Sequence, residues 1–258
     1  MKPGQHELLR AVEDVHWWHR TLHAQVLEVL KLRVKPGATV LDAGCGTGGL
    51  LARLGEYSAC GCDANTRAVE LCSARGLTRV THARVESLPY EAESMDAVLS
   101  LDVLYHAEVD ETAALREMSR VLRPGGVLIV NAAAFECLRG AHDAAVCGAR
   151  RYRRAELAAR VAAAGFEVQT ASYWNAWLFP ALWLRRRFFK AAQGDLKLPP
   201  RWLNSLLECV ARLDAWMCRC LGVPWGSSIL LVAVKVTEEP MQVPPGRHNP
   251  SGAGWRGC

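Results

Sequence analysis

Residues 38–49 read ATVLDAGCGTGG. The first half is a short apolar run with β-branched residues, which predicts a buried strand. The glycines that follow predict a sharp turn where the backbone can come close to a ligand. A buried strand that ends in such a turn is typical of the ligand-binding edge of an open α/β sheet. The stretch therefore predicts an α/β fold with a ligand at the end of its first strand.

The glycine loop is compatible with two cofactors. Read as GCGTGG, residues 44–49 match G-x-G-x-x-G, the phosphate loop for NAD or FAD. Read as DAGCGTG, residues 42–48 match D-x-G-x-G-x-G, the loop that holds S-adenosylmethionine (SAM). The carboxylate of Asp42 would repel a pyrophosphate, whereas it would attract the sulfonium and ammonium groups of SAM. Asp42 therefore favours SAM, and an NAD oxidoreductase is the weaker alternative.

Strands and helices alternate along most of the chain. This rhythm predicts a parallel sheet covered by helices on both faces. Apolar residues recur at helical spacing over 5–32, 65–76, 111–126 and the start of 153–168, so helices are predicted there. A further helix is predicted to begin at Gly48-Gly49. Strands are predicted at 38–44, 57–63, 79–85, 94–102, 127–133 and 227–236, with another strand after the helix that starts at 153 and two or three helices within 176–221.

Five segments describe the predicted organisation of the 258 residues. They are an N-terminal helical lid (1–35), a cofactor-binding core (36–172), a helical insertion (173–224), a final core strand (225–237) and a disordered tail (238–258). The tail prediction follows from its many Pro, Gly and polar residues.

Composition narrows the function classes. The net charge of +5 is mild and gives little reason to expect nucleic acid, so we predict no nucleic-acid partner. The cysteine pairs Cys60/Cys62 and Cys218/Cys220 have C-x-C spacing, which suits neither zinc nor a redox disulfide, and we predict no metal site. The first 20 residues contain no continuous apolar region, so we predict no signal peptide, and no apolar run reaches the roughly 20 residues that span a bilayer. We therefore predict a reduced, cytoplasmic protein.

Several motifs occur together in a fixed order. LDAGCGTG is followed by GCDAN, ARVESLPY, SMDAVLSLDVLYHA and REMSRVLRPGGVLIVNAA. In this order they resemble the class I SAM-dependent methyltransferases, and most of all the small-molecule branch with the ubiquinone-type signature. The resemblance covers roughly residues 38–170. It implies a Rossmann-like, seven-stranded, mostly parallel sheet whose last strand is antiparallel and lies beside the sixth.

The resemblance also implies roles for particular residues. Asp42 and the loop glycines would hold the amino-acid part of SAM, and Leu101 would close over the sulfonium side. Asp63 ends the second strand, where a carboxylate accepts the ribose hydroxyls of an adenosine. Glu86 follows the third strand and could accept from the adenine amine. The candidate cofactor-binding residues are Asp42, Gly44, Cys45, Gly46, Gly48, Asp63, Ala64, Glu86, Ser87, Leu101, Trp17 and Arg20.

Candidate catalytic residues lie past the fourth and fifth strands. His106 could take a proton from a hydroxyl, and Tyr105 beside it could orient the acceptor. His142 next to Asp143 suggests an active-site loop. For each histidine a structural role, in ordering a loop or beginning a helix, remains an alternative. In the N-terminal VHWWHR (15–20), one Trp could face the cofactor cleft while the other packs inward, or both could be core residues.

The insertion is rich in Trp, Leu and Phe, and residues 173–190 end in a basic cluster. It could line a substrate pocket, pair two subunits or lie at a membrane surface. We therefore predict a methyltransferase for a hydrophobic small molecule, methylated on O, N or C, with the protein acting as a monomer or homodimer. The alternatives are a membrane-associated enzyme for a lipid, quinone or lipid-linked intermediate, and a binding module without catalysis.

Overall fold

The computed structural model describes residues 4–140, 143, 144, 146–188 and 198–237, with side chains omitted for 185–188. The helices are α1 (Gln5–Val12), α2 (Trp17–Arg33), α3 (Thr66–Ala74), α4 (Glu111–Val121), α5 (Arg154–Ala163), α6 (Phe179–Phe188) and α7 (Arg201–Leu221). The strands are β1 (Thr39–Ala43), β2 (Ser58–Asp63), β3 (Val80–His82), β4 (Met95–Leu101), β5 (Leu122–Ala133), β6 (Phe166–Trp174) and β7 (Ser228–Lys235).

The seven strands form one sheet in the order β3-β2-β1-β4-β5-β7-β6. The pairs from β3 to β5 are parallel, whereas β7 runs antiparallel to both of its neighbours, β5 and β6. This confirms the predicted seven-stranded sheet and its inserted antiparallel strand. Because parallel strands end at the same edge, the sheet brings the ends of β1, β2 and β4 together.

The core has two layers, one on each face of the sheet. Successive strand residues point to opposite faces, so Val40 packs on one side and Leu41 on the other. The face with Val40 is covered by α2, through Leu22, Val26 and Leu30. On the opposite face the sheet packs against buried residues of α4 and α5, among them Ala114, Leu115, Met118, Leu157 and Val161.

Two predicted elements differ from the structure. The helix expected after Gly48-Gly49 is only a 3₁₀ turn at Leu51–Arg53. The carboxylate of Glu13, which directly follows α1, accepts from the backbone N–H of Gly49, so these residues belong to a packed loop and not to a regular helix. The Pro-Gly-Gly at 124–126, expected to close a helix at 126, instead lies in the early part of β5, because α4 ends at Val121.

The helical insertion holds the N-terminal helices in place. Asn204 of α7 accepts from the backbone N–H of Trp17 at 3.0 Å and donates to the carbonyl of Val15 at 2.8 Å. Asp214, buried on the same helix, accepts from the backbone N–H groups of Ala176 and Trp177. α7 therefore ties the start of α2 to the end of β6. In the described part of the chain, none of the helices combines the length and apolar character that crossing a bilayer requires.

Candidate active site

A cavity of about 750 Å³ lies at the carboxyl ends of β1, β2 and β4. Helices α1, α2, α6 and α7 provide the opposite wall, through His6, Trp17, Leu182 and Leu207 among others. The structure brings most of the predicted site residues into this one lining. They are Asp42, Gly44, Cys45, Gly46, Asp63, Ala64, Glu86, Leu101, Trp17, Tyr105 and His106.

Three predicted residues are not part of the lining. Arg20 forms an ion pair with Glu208 of α7 at 2.9 Å, so it connects two helices. Gly48 packs towards Leu77 and Cys72, behind the loop. Ser87 lies in a turn, where its backbone N–H bonds the carbonyl of Arg84. His142 lies outside the described residues. The roles of all these residues in binding and catalysis stay predictions.

The glycine loop is closely packed on both sides. Gly44 has a φ of +89°, and a Cβ there would lie 2.3 Å from Cγ2 of Val103. A Cβ on Gly49 would lie 2.3 Å from a carboxylate oxygen of Glu13. That carboxylate accepts from the N–H of Gly49 and bonds Thr47 and Arg75. The loop therefore needs its glycines, and α1 fixes its far side.

Asp42 is the acid that separates the two cofactor hypotheses. Its side chain is only 3% exposed and lies in the cavity lining. Burial, followed by the charges of Asp63 and Glu13, raises the pKa of Asp42 to about 7. A cation placed beside this carboxyl would stabilise its ionised form, whereas a pyrophosphate would add to the negative charge. The site is suited to a positively charged ligand.

Asp63 is held at the end of β2 by backbone donors. One carboxylate oxygen accepts from the N–H of Gly46 at 2.9 Å and the other from the N–H of Asn65 at 2.8 Å. Each oxygen keeps a further lone pair for a ligand. The orientation therefore fits an acceptor of two ribose hydroxyls. It also ties the glycine loop to the second strand.

Ala64 and Glu86, which we predicted beside the adenine, both line the cavity. The carboxylate of Glu86 accepts from Arg84 at 2.8 Å and from the backbone N–H of Asp110 at 3.1 Å. It therefore fixes the loop before α4, and any contact with adenine would add to these bonds.

Both tryptophans of the VHWWHR segment line the cavity. Trp18 stacks on Trp174 of β6, with ring centroids 5.4 Å apart. His16 caps α2, accepting from the N–H of Trp18 at 3.2 Å. The start of α2 therefore forms an aromatic wall against the end of the sheet.

His106 and Tyr105 lie side by side at the cavity, with stacked rings 4.8 Å apart. Burial lowers the pKa of His106, which keeps the imidazole neutral near pH 7. Burial also raises the pKa of the Tyr105 hydroxyl well above its ordinary value, so this hydroxyl stays protonated. Tyr105 can thus donate a hydrogen bond, and His106 can accept a proton.

A further acid at the cavity, Asp102, was not among the predicted residues. Asp102 follows β4, has a φ of +59° and lines the cavity. The side-chain N–H₂ of Asn131 approaches its two carboxylate oxygens at 3.1 and 3.0 Å. The sequence did contain a signal, because Asp102 ends the same strand that precedes His106. Its partner Asn131 comes from another strand, so no local pattern shows the contact.

Comparison with known proteins adds a family match over part of the chain. Residues 41–130 match the family described as methyltransferase domain. A human protein named probable tRNA methyltransferase 9B is 36% identical over 104 residues, which are 40% of this chain and 23% of that protein. The uncharacterized methyltransferase YodH of Bacillus subtilis is 39% identical over 106 residues, covering 38% of this chain and 45% of YodH.

Solved structures share the fold across most of the chain. The methyltransferase crystallised with the Haloferax volcanii Trm112 activator has a TM-score of 0.59 at 20% identity, over 91% of this chain and 95% of that one. Geranyl diphosphate C-methyltransferase from Streptomyces coelicolor has a TM-score of 0.55 at 18% identity, over 84% of this chain and 79% of that one. Residues 41–130 therefore match a methyltransferase domain, and the chain has the class I SAM-dependent methyltransferase fold, as the sequence predicted.

One prediction about partners is wrong. We expected no nucleic-acid partner, but proteins 35–36% identical to this chain are named tRNA methyltransferases, from human and from Arabidopsis thaliana. A mild overall charge does not exclude nucleic acid, because a local surface can bind it. The matched segment spans about a quarter of those two proteins.

Proposed function

We propose that this protein transfers a methyl group from SAM to an apolar acceptor. The observation that carries the proposal is the buried carboxylate of Asp42, which lies with Asp63 in a cavity formed by the glycine loop. Such a site favours a cation with an attached nucleoside. The methyltransferase-domain match over the same loop supports this assignment.

In this reaction the protein would mainly position SAM and the acceptor relative to each other. When bound, SAM supplies a methyl group on a positively charged sulfur, which is already a good leaving group. Asp42 and the glycine loop would hold its amino-acid end, and Asp63 its ribose. Tyr105 and His106 lie at the same cavity and could orient the acceptor. Trp17, Trp18 and Leu101 line the same cavity with apolar surface, which would exclude water around bound SAM and favour an in-line displacement.

The helical wall supports an apolar acceptor. Residues of α6, α7 and the preceding loop present side chains to the cavity that are almost all apolar: Leu178, Ala181, Leu182, Pro199 and Leu207. Trp17 and Leu22 of α2 complete this side. An acceptor that buries its apolar part here gains about 25 cal/mol per Å² of surface removed from water. The alternative acceptor is tRNA, which is favoured by the names of the relatives.

Calorimetry with SAM and with NAD tests the cofactor assignment. We expect SAM to bind and NAD to give no heat, and NAD binding alone would overturn the proposal. Incubation with [methyl-³H]SAM, followed by separate counting of an organic extract and of purified tRNA, then tests the acceptor. Label in the organic extract supports an apolar acceptor, label in tRNA overturns it, and SAM binding without transfer to either would favour a binding module.

A further inference from the structure

We propose that Asp102 is the catalytic base that removes the proton of a hydroxyl group on the acceptor. The inference rests on the proposed methyl transfer and deepens it, because a base is needed for a hydroxyl and not for a neutral amine. Asp102 lies in the cavity lining with Asp42, Tyr105 and His106.

The carboxylate is positioned by a chain of contacts whose orientation is fixed. The Nε1–H of Trp174 donates to Oδ1 of Asn131 at 3.0 Å. Because an indole N–H can only donate, Oδ1 of Asn131 must face Trp174, and its N–H₂ group must face Asp102. The backbone N–H of Asp102 in turn bonds the carbonyl of Asn131 at 2.9 Å. The amide therefore orients both carboxylate oxygens of Asp102.

The backbone at Asp102 also indicates a functional position. Its φ of +59° lies in the left-handed region, which is costly for a residue with a Cβ. Strained residues of this kind persist where the surrounding structure enforces them and are concentrated at active sites. Here the conformation turns the chain sharply after β4, between Leu101 and Val103, which both line the cavity.

The charged surroundings leave Asp102 able to exchange a proton near neutral pH. Burial raises its pKa to about 7, and the bond from Asn131 and the charge of Arg151 lower it only in part. Arg151 is itself paired with Asp143 at 2.8 Å, which reduces its effect on Asp102. Besides Asp143 and Arg151, the ionisable groups of the lining include Tyr105, which is protonated, His106, which is neutral, and Glu108.

The step balances without a further reactant. The acceptor O–H bond breaks as its oxygen forms a bond to the methyl carbon, and the carbon–sulfur bond breaks with its electron pair left on sulfur. The proton moves to Asp102, which becomes a neutral carboxylic acid. The products are the methyl ether and S-adenosylhomocysteine, and Asp102 later releases its proton to water.

Two measurements test the proposal, and the first needs no acceptor. In protein labelled with ¹³C-aspartate, the Asp102 carboxyl signal is identified by its loss in Asp102→Asn and followed from pH 4 to 9. We expect the Asp102 carboxyl to titrate with a midpoint near pH 7. In Asn131→Leu this midpoint should rise by at least half a pH unit, because the bond from Asn131 lowers the pKa of Asp102. A midpoint below 5 would overturn the proposal whether or not an acceptor is known.

The second measurement uses the acceptor fraction labelled in the transfer assay. We expect Asp102→Asn to lower kcat at least 100-fold with SAM affinity within twofold of the parent protein. In the parent protein we expect kcat to rise between pH 6 and 8 as Asp102 ionises. His106→Gln should keep this rise. If Asp102→Asn keeps more than half of kcat, or if His106→Gln abolishes that rise, the base is not Asp102. Absence of any transfer by the parent protein would instead count against the proposed function.

Trp174→Phe tests the positioning chain, since phenylalanine keeps an aromatic ring against Trp18 but removes the N–H. We expect a lower kcat, an unchanged KM and a shifted Asp102 midpoint. Trp177→Phe is the matched control, because Trp177 is exposed and outside the cavity lining. If the two variants have the same kcat and the same Asp102 midpoint, Trp174 does not position the base.

Discussion

At the scale of single residues, two cavity acids share an unusual property. Asp42 and Asp102 both have pKa values raised to about 7, in each case mainly by burial. A buried carboxyl without a positive partner costs folding free energy when it ionises. Sites of this kind persist when a ligand supplies the missing interaction. In the proposed reaction, that interaction is the positive charge of SAM for Asp42 and the acceptor's proton for Asp102.

The first prediction concerns SAM binding by Asp42. Because SAM favours the ionised carboxyl, binding below pH 7 must displace a proton. We expect the dissociation constant for SAM to be about tenfold weaker at pH 6 than at pH 8. Asp42→Asn should weaken binding at pH 8 at least tenfold and remove the pH dependence, as calorimetry at both pH values would show. Glu91→Gln is an exposed control, and equal affinity of Asp42→Asn and the parent protein would contradict this role.

The second prediction concerns stability in the absence of ligand. A carboxyl whose pKa is higher in the folded than in the unfolded protein stabilises the fold below pH 4, and this contribution is lost as pH rises towards 7. Asparagine does not ionise, so the stability of Asp42→Asn should not fall in this way as the pH rises. We expect the variant to be more stable than the parent protein at pH 8 by about 2–4 kcal/mol, with little difference at pH 4. Urea unfolding at the two pH values measures this, and a less stable variant at pH 8 would show that ionised Asp42 stabilises the fold.

At the scale of secondary-structure elements, local patterns predicted the sheet better than the loops. Consecutive apolar residues such as Val40 and Leu41 are sufficient to predict a buried strand, since both faces of the sheet are covered. The turn after Gly48 was predicted as a helix because the contact that fixes it comes from Glu13, 36 residues away in sequence and just after α1. Asp102 was missed for the same reason, since Asn131 and Trp174 lie far from it in sequence. Long-range polar contacts decided the structure where the sequence interpretation failed.

The third prediction tests how α7 holds the N-terminal helices. Asn204 bonds the backbone on both sides of the turn before α2, at Val15 and Trp17. Asn204→Ala removes both bonds, and we expect a loss of about 1 kcal/mol in local stability. Hydrogen exchange of the Trp17 amide should become faster, and SAM affinity should fall if α1 and α2 close the site. Ser205→Ala, at an exposed neighbouring position, is the control, and unchanged exchange would show that α2 is held elsewhere.

At the scale of the whole molecule, the insertion carries apolar side chains on two surfaces. Leu182 and Leu207 face the cavity, whereas a stripe on α7 faces outward: Trp202, Leu206, Leu213 and Trp216. Trp177, Trp183 and Trp225 are also exposed. Exposed tryptophans on an amphipathic helix are typical of a membrane interface, and the net charge of +5 favours anionic lipid. These exposed side chains favour the alternative in which the insertion lies at a membrane surface, with α7 taking part in the contact.

The fourth prediction concerns binding to lipid vesicles. We expect the protein to sediment with vesicles that contain phosphatidylglycerol and less with pure phosphatidylcholine, because both tryptophan burial and charge contribute. Trp202→Ser with Trp216→Ser should reduce sedimentation at least twofold. Leu32→Ser is the control, since Leu32 is equally exposed but lies on α2. If the double variant binds vesicles as well as the parent protein but shows a smaller mass in solution, the stripe pairs two copies of the chain. An apolar acceptor would then have to reach Leu182 and Leu207 from water, and α7 would have no part in its delivery from a bilayer.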